Sequence, residues 1–215
     1  MVRNMKYQAV IFDLDGVICF TDKYHYLAWK KMADDMGIYF DEEINNRLRG
    51  VSRMESLEII LERYDKKLSM EEKQTLAETK NKAYVELLGQ MSTEDLSKEV
   101  KQTLDALREK GLKLAIGSSS KNAKFILERL GLKDYFDAIS DGTNITKSKP
   151  DPEVFIKAAE FLHMGSETCL VVEDAKAGIE AAFTGGFHSA GLGEAAESEK
   201  VTYAINTFSD LLKIV

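Results

Sequence analysis

Short runs of apolar residues recur along the chain, and the stronger runs are apolar at every position rather than at every second one. This pattern is typical of strands that are covered on both faces, as in a parallel sheet between two layers of helices. The segments predicted as strands are residues 7–13, 112–118, 136–140, 168–174, 188–192 and 202–206.

Between the later strands, apolar residues repeat at the spacing of an amphipathic helix. This pattern covers residues 97–111, 121–131 and 151–163, and the first two segments end at a glycine,. In the third, Asp151 is expected to be the N-cap and Pro152 the first helical residue. The alternation of strands and helices from about residue 97 predicts an α/β fold with a doubly wound parallel sheet.

Residues 21–91 interrupt this alternation, because four helical patterns follow one another there without a strand. A segment of this length is too long for an ordinary crossover between two strands. We therefore predict a core domain of residues 1–20 and 92–215 and a small helical domain of residues 21–91. The two connections, near Thr21 and Ser92, would form a hinge at the end of the first strand.

Charge and composition narrow the classes of function. The chain has 215 residues and a net charge of −7, which argues against a general nucleic-acid binder. The longest apolar runs fall short of the ~20 residues of a membrane span, and the N-terminal run is too short for a signal peptide. Cys19 and Cys169 lack the spacing of metal ligands, so we expect buried thiols in a reducing compartment. These features predict a cytoplasmic protein without nucleic-acid or membrane partners.

Two acidic pairs follow predicted strands: Asp13 and Asp15 in "AVIFDLDGV", and Glu173 and Asp174 in "TCLVVED". Ligands of open parallel sheets bind beyond the carboxyl ends of the strands. Carboxylates gathered there repel each other, by roughly 4 kcal/mol for two charges ~4 Å apart at an effective dielectric of ~20. A divalent cation removes that conflict, and Mg²⁺ is usual where phosphate also binds. The alternative is that these acids are solvated loop residues or helix caps.

A carboxylate can also act as a nucleophile and form an aspartyl phosphate. Asp13, at the end of the strand, is the better nucleophile, and Asp15, on the following turn, is better placed as general acid and base. In "GSSS", Ser118 is a candidate phosphate ligand. Lys149, directly before a proline and a capped helix, could neutralise a phosphoryl group. An ordinary polar loop and a solvated lysine are the alternatives for these last two.

Four motifs occur in order: "DLDG" (13–16), "GSSS" (117–120), "SKPDP" (148–152) and "VVED" (171–174). In their order and context they resemble the four motifs of the haloacid dehalogenase (HAD) superfamily. The resemblance implies a HAD-like α/β core, and residues 21–91 resemble the small helical cap of that superfamily. The second aspartate, two residues after the first, indicates the phosphotransferase branch rather than the dehalogenases.

Further stretches resemble the sugar-phosphate mutases of that branch: "YHYLAWK" (24–30), "RGVSRMESL" (49–57), "TKNKAYV" (79–85) and "SSSKN" (118–122). This resemblance implies an Mg²⁺-dependent enzyme that interconverts β-D-glucose 1-phosphate and glucose 6-phosphate through an aspartyl phosphate. β-Glucose 1,6-bisphosphate would be the intermediate and activator. We expect a small-molecule sugar phosphate as the partner, and a monomer.

The resemblance also implies roles for individual residues. Mg²⁺ would be held by Asp13, Asp15 (through its carbonyl), Glu173 and Asp174. Ser118 and Lys149 would bind the transferring phosphoryl group, and Arg53, supported by Ser120 and Asn122, would bind the distal phosphate. His25 would position Asp15 and couple closure of the cap to catalysis. The expected sugar-site residues are Trp29, Gly50, Ser56 and Lys80, together with Arg49 and Ser119, where the family usually has lysine and often has alanine.

Other interpretations stay open on the residues alone. His25 and Trp29 have the character of structural residues in a helical core, and Arg49 and Arg53 could form a solvated face. A sugar-phosphate phosphatase of the same fold would use the same core motifs. A non-enzymatic phospho-receiver would also combine acidic residues, a lysine and a parallel sheet, but it needs no helical domain after its first strand.

Overall fold

The computed structural model describes residues 6–48 and 51–215. The chain divides into two compact units. The α/β unit contains the described residues up to Phe20 together with Ser92–Val215, and the helical unit is Thr21–Met91.

The α/β unit contains a six-stranded parallel sheet in the order β3-β2-β1-β4-β5-β6. Its strands are β1 (Ala9–Phe12), β2 (Lys113–Gly117), β3 (Ala138–Ser140), β4 (Cys169–Glu173), β5 (His188–Gly191) and β6 (Tyr203–Ala204). Each lies within a segment predicted as a strand, so the predicted doubly wound parallel sheet is confirmed. The strand order reverses at β1, which lies between β2 and β4, and ligand sites of such sheets lie at this reversal.

The helical unit contains α1 (Asp22–Asp35), α2 (Glu42–Asn46), α3 (Arg53–Leu61) and α4 (Met70–Leu88). The helices of the α/β unit are α5 (Lys98–Glu109), α6 (Ala123–Arg129), α7 (Glu153–Phe161) and α8 (Lys176–Thr184). Short 3-10 segments lie at Thr93–Asp95, Ser166–Thr168, Gly193–Glu197 and Phe208–Lys213.

Both faces of β1 are covered, as its continuous apolar pattern predicts. Ala9 and Ile11 belong to a core cluster that includes Phe155 of α7. On the other face, the ring of Phe12 stacks on the ring of Phe208, with 5.6 Å between the centroids. Burial on both faces stabilises β1 by the hydrophobic effect and holds the residue that follows it in a fixed position.

The helical unit has its own apolar core, which includes Trp29, Met32, Phe40, Leu57 and Ile60. Helices α3 and α4 each begin with a capping box, in which a serine side chain and a glutamate side chain satisfy N–H groups of the first turn,. No helix in the described ranges combines the length and the apolar character needed to span a bilayer.

Two local predictions are settled by the structure. Cys19 and Cys169 are both buried and free, as predicted. The prediction for the start of α7 is wrong by one residue, because Pro152 occupies the N-cap and the helix begins at Glu153. The Asp151 side chain nevertheless accepts a hydrogen bond from the Glu153 N–H at 3.0 Å.

Candidate active site

The candidate site begins where β1 ends. Phe12 is paired with Ile116 of β2 and with Val172 of β4, and the N–H of Asp13 donates to the Val172 carbonyl at 2.9 Å. The parallel register therefore places Asp13 beside Glu173, the last residue of β4. Both acids are buried, with 7% of Asp13 and 1% of Glu173 exposed.

Three carboxylates gather at this edge of the sheet. Oxygen atoms of Asp13, Glu173 and Asp174 lie within 4.8 Å of one another. Two glycines make room for them. A Cβ on Gly16, which has φ +85°, would stand 2.0 Å from Oδ2 of Asp174, and a Cβ on Gly178 would stand 2.0 Å from the carboxyl group of Glu173. The close packing of two carboxylates therefore depends on residues that lack a side chain.

Lys149 supplies the positive charge at the site. Its ammonium donates to Oδ1 of Asp13 at 2.5 Å and to Oε1 of Glu173. It also lies 4.7 Å from the centroid of the Phe155 ring. Lys149 is 6% exposed, so this ammonium is held between two buried carboxylates rather than in solvent. The alternative of a solvated surface lysine is therefore wrong.

The protonation of the cluster follows from burial and from the neighbouring charges. Burial raises the pKa of Asp13 well above its usual value; Lys149 opposes that rise, and Glu173 and Asp174 add to it. The pKa of Asp174 is raised to about 7, first by burial and then by Glu173, while Lys149 acts against the rise. Burial alone would lower the pKa of Lys149, but Asp13 and Glu173 raise it above its usual value.

These residues fit a hard divalent cation. Three carboxylates face one ammonium, so the cluster carries an excess of negative charge once its acids ionise. The donor atoms are all oxygens, which Mg²⁺ prefers. The Asp15 side chain is outside this group of three, and its predicted contribution is through the main-chain carbonyl. That part of the predicted metal site stays a prediction.

The serine loop follows β2, next to β1. Ser118 is 3% exposed, and its Oγ accepts from the Ser120 N–H at 3.2 Å. Oγ of Ser120 in turn accepts from the Asn122 N–H at 3.2 Å. Within the described ranges, the Ser119 hydroxyl is buried and has no hydrogen-bond partner. Main-chain hydrogen bonds also join the loop to the end of β3, from the Ser118 N–H to the Ser140 carbonyl at 3.0 Å and from the Gly142 N–H to the Ser120 carbonyl at 3.1 Å. The phosphate contacts of the loop stay predictions.

In the helical unit, His25, Trp29 and Lys80 come together. The Lys80 ammonium lies 2.9 Å from Nδ1 of His25 and 4.5 Å from the centroid of the Trp29 ring. Burial lowers the pKa of His25 well below its usual value, and the charges of Lys80 and Arg53 lower it further. With the ammonium as donor, Nδ1 is the acceptor, and the neutral ring carries its proton on Nε2.

The sequence pattern did not predict that Tyr84 and Thr21 belong to this cluster. The ring of Tyr84 lies against His25, with 4.0 Å between the centroids, and its hydroxyl donates to Oγ1 of Thr21 at 3.0 Å. Lys80 also lies over the Tyr84 ring, at 4.7 Å. The spacing of four residues between Lys80 and Tyr84, one helical turn, was the available signal.

The remaining predicted residues of the helical unit are only partly described. Arg53 is the first residue of α3, and burial lowers the pKa of its guanidinium. Ser56, one turn later, is buried. Arg49 and Gly50 lie outside the described residues. The roles predicted for all four residues stay predictions.

The fold and the acidic site define a class of protein, and comparison with known families agrees. The profile of the haloacid dehalogenase-like hydrolase family matches residues 10–192. The chain belongs to this family, and the resemblance drawn from the four motifs is confirmed.

Particular relatives indicate the branch. The chain is 42% identical to the β-phosphoglucomutase of Bacillus subtilis, over 95% of this chain and 91% of that protein. It is 34% identical to a phosphorylated carbohydrates phosphatase of Thermotoga maritima, over 83% and 82% of the two chains. The crystal structure of β-phosphoglucomutase from Clostridium difficile superposes with a TM-score of 0.88 at 38% identity, over 95% of this chain and 93% of that one. The chain is thus an enzyme homologous to phosphomutases, and HAD-family phosphomutases use Mg²⁺.

Proposed function

We propose that this chain catalyses the β-phosphoglucomutase reaction, the interconversion of β-D-glucose 1-phosphate and glucose 6-phosphate. The observation that carries the proposal is the 42% identity to the Bacillus subtilis enzyme over 95% of this chain. A match of that extent includes most of the helical unit as well as the α/β unit. The similarity therefore covers the part of the chain in which we predict the sugar contacts.

The proposed chemistry uses Asp13 as nucleophile. Its carboxylate oxygen attacks the phosphorus of a sugar phosphate, and the bond between phosphorus and the sugar oxygen breaks. Asp15 gives a proton to that sugar oxygen. In the reverse direction it takes the proton of the sugar hydroxyl that attacks the phosphorylated Asp13. Transfer to one hydroxyl and from the other, through β-glucose 1,6-bisphosphate, moves the phosphate between C1 and C6.

We propose that the side chains of Asp13, Glu173 and Asp174, and the carbonyl of Asp15, hold Mg²⁺. The ion, when bound, would offset the negative charge of the carboxylates and of the transferring phosphoryl group. Lys149 adds a second positive charge beside Asp13, and Ser118 completes the phosphate ligands as a hydrogen-bond donor.

Residues of the helical unit and of the serine loop supply the remaining contacts in this proposal. Arg53 binds the distal phosphate, supported by Ser120 and Asn122 of the serine loop, since a planar guanidinium suits a phosphate. Trp29, Lys80 and Ser56 contact the sugar, as do Arg49, Gly50 and Ser119. His25 positions Asp15. We further propose that the enzyme is a monomer, which sedimentation velocity at micromolar concentration would test.

The direct test supplies β-D-glucose 1-phosphate, Mg²⁺ and a trace of β-glucose 1,6-bisphosphate. We expect glucose 6-phosphate to accumulate with little release of inorganic phosphate. Asp13→Asn should abolish the reaction because it removes the nucleophile. Stoichiometric inorganic phosphate without glucose 6-phosphate would reject the mutase reaction.

The phosphatase alternative is favoured by one finding, the 34% identity to the Thermotoga maritima phosphatase. In that alternative, water rather than a second sugar phosphate takes the phosphoryl group from Asp13. Arg53→Ala separates the two functions. For a mutase it should lower kcat/KM of isomerisation by roughly 10- to 100-fold, the effect of losing a charged hydrogen bond, while hydrolysis of phosphorylated Asp13 stays detectable. Arg63→Ala, which removes an exposed arginine of the same unit, is the matched control.

A further inference from the structure

Lys149 is carried by a loop, although its ammonium occupies a buried and defined position. The residues between β3 and α7 form turns and bends without a regular element. A lysine side chain has several rotatable bonds, so its placement between Asp13 and Glu173 requires the main chain beneath it to be fixed. The contacts that hold this loop are therefore relevant to the phosphoryl group that Lys149 is proposed to bind.

The Glu153 carboxylate accepts three hydrogen bonds from this loop. Its Oε2 accepts from the N–H of Thr146 at 2.8 Å, from the Thr146 hydroxyl at 2.9 Å and from the N–H of Lys147 at 2.8 Å. Its Oε1 lies 3.1 Å from the Lys157 ammonium. The pKa of Glu153 is lowered to about 2, chiefly by the two main-chain hydrogen bonds. The carboxylate is therefore ionised at any pH at which the enzyme would work.

We infer that Glu153 is a positioning residue for Lys149. It joins the loop at residues 146–147 to the first turn of α7. The N–H of Asp151 donates to the Ser148 carbonyl at 3.1 Å and closes a turn that contains Lys149. Lys149 thus lies in a hydrogen-bonded turn that directly follows the residues bound by Glu153. This inference rests on the proposed function, because it assigns Glu153 a role through the residue proposed to bind the transferring phosphoryl group.

A purely local role for Glu153 makes a different prediction. An acidic residue in the first turn of a helix is stabilising through the helix dipole alone. Any carboxylate in that turn would fulfil this role. If it were the only role of Glu153, substitutions of Glu153 would not change the position of Lys149. The positioning role requires a carboxylate or amide oxygen that reaches the N–H groups of residues 146 and 147.

Three substitutions separate the two roles. Glu153→Asp keeps the charge at the start of α7 but withdraws the oxygens by one methylene, and Glu153→Ala removes them. Glu153→Gln keeps an oxygen that can accept from the loop but loses the negative charge, and with it the ion pair with Lys157. Glu160→Ala, at an exposed position of the same helix, is the matched control.

The readout is the rate at which acetic anhydride labels Lys149 in the full-length protein, measured by mass spectrometry. Lys133, whose side chain is 65% exposed, serves as internal reference. We expect the relative labelling of Lys149 to rise about 10- to 100-fold in Glu153→Asp and Glu153→Ala, the range for losing charged hydrogen bonds that close a loop. Glu160→Ala should behave as wild type, and Glu153→Gln should lie closer to wild type than Glu153→Asp, because its amide oxygen still accepts from the loop.

Unchanged labelling in Glu153→Asp would overturn the inference, as would an equal rise in Glu160→Ala. If Glu153→Ala does not fold, Glu153→Asp decides. In the isomerisation assay, Glu153→Asp and Glu153→Ala should lower kcat by roughly 10- to 100-fold with little change in KM. Glu153→Gln should restore kcat, because its amide oxygen still reaches the loop. If the wild type has no mutase activity but the labelling pattern is as expected, the proposed function fails while the positioning role stands.

Discussion

At the scale of single residues, two aspartates close together in the chain, Asp13 and Asp15, have different environments. Asp13 is buried, continues β1 and is hydrogen-bonded to Lys149. Asp15, two residues later, lies on the turn and is partly exposed. The sequence predicts different roles for the two from their positions. The structure adds the buried ammonium that makes the ionised form of Asp13 less costly.

The pair of Lys80 and His25 gives a prediction at this scale. In Lys80→Met, the pKa of His25 should rise, because a positive charge that opposes protonation has been removed. It should stay below its usual value, since burial is the larger cause of the lowering. NMR titration of the ring protons measures this directly, and the chain has only three histidines.

The control is Lys82→Met, which removes an exposed lysine of the same helix. An equal rise in this control, or no rise in Lys80→Met, would show that the ammonium beside Nδ1 does not govern the protonation of His25.

At the scale of elements, helix α8 shows tertiary packing acting against helix propensity. Gly178 lies inside this helix, where alanine is intrinsically more favourable by about 1 kcal/mol. A Cβ at this position would meet the carboxyl group of Glu173 at 2.0 Å. Gly178 therefore leaves space for the Glu173 side chain at the end of β4, although glycine is unfavourable inside the helix.

Gly178→Ala should accordingly destabilise the protein, by about 1–3 kcal/mol as for other overpacked sites, rather than stabilise it. Urea unfolding measures the change in the free energy of unfolding. The companion experiment is the double variant with Glu173→Ala, in which the clash partner is absent. There the alanine should be neutral or stabilising. Additive effects of the two substitutions would mean that the clash does not occur.

At the scale of the whole molecule, the acidic cluster makes stability depend on pH and on metal. The pKa of Asp174 rises from its ordinary value of 3.8 to about 7 in the folded protein. The folded protein thus holds this proton more tightly than the unfolded chain. Between about pH 4 and 7, the unfolded chain ionises first, so the metal-free fold loses stability as the pH rises.

Magnesium should reverse this trend, because it binds the ionised carboxylates of the folded protein. At 100 times its Kd, it would add about 2.7 kcal/mol to the free energy of unfolding. Thermal unfolding from pH 5 to 8, with EDTA and with Mg²⁺, tests both statements. Asp174→Asn should flatten the metal-free pH dependence and weaken the effect of Mg²⁺. Glu197→Gln, at a side chain that is 75% exposed, should change neither.

Much of the fold could be predicted because its signals are local. Short runs rich in apolar residues, the stronger of them apolar at every position, predicted all six strands of the described sheet, and glycine and capping residues indicated the helix ends. The two acidic pairs could be assigned to one edge of the sheet, since parallel strands end on the same side. The start of α7 was missed by one residue, because Asp151 and Pro152 both have the character of an N-terminal helix residue.

The sequence by itself determined the strands, the helical insertion and which acids follow β1 and β4, because residues close together in the chain encode these features. Only the tertiary structure decided the contacts between distant residues. Lys149 and Asp13 are 136 residues apart, and no local pattern specifies their hydrogen bond. The same holds for the space that Gly178 leaves for Glu173 and for the pairing of Lys80 with His25. Such contacts arise when packing brings remote side chains together and burial makes their charges interact strongly.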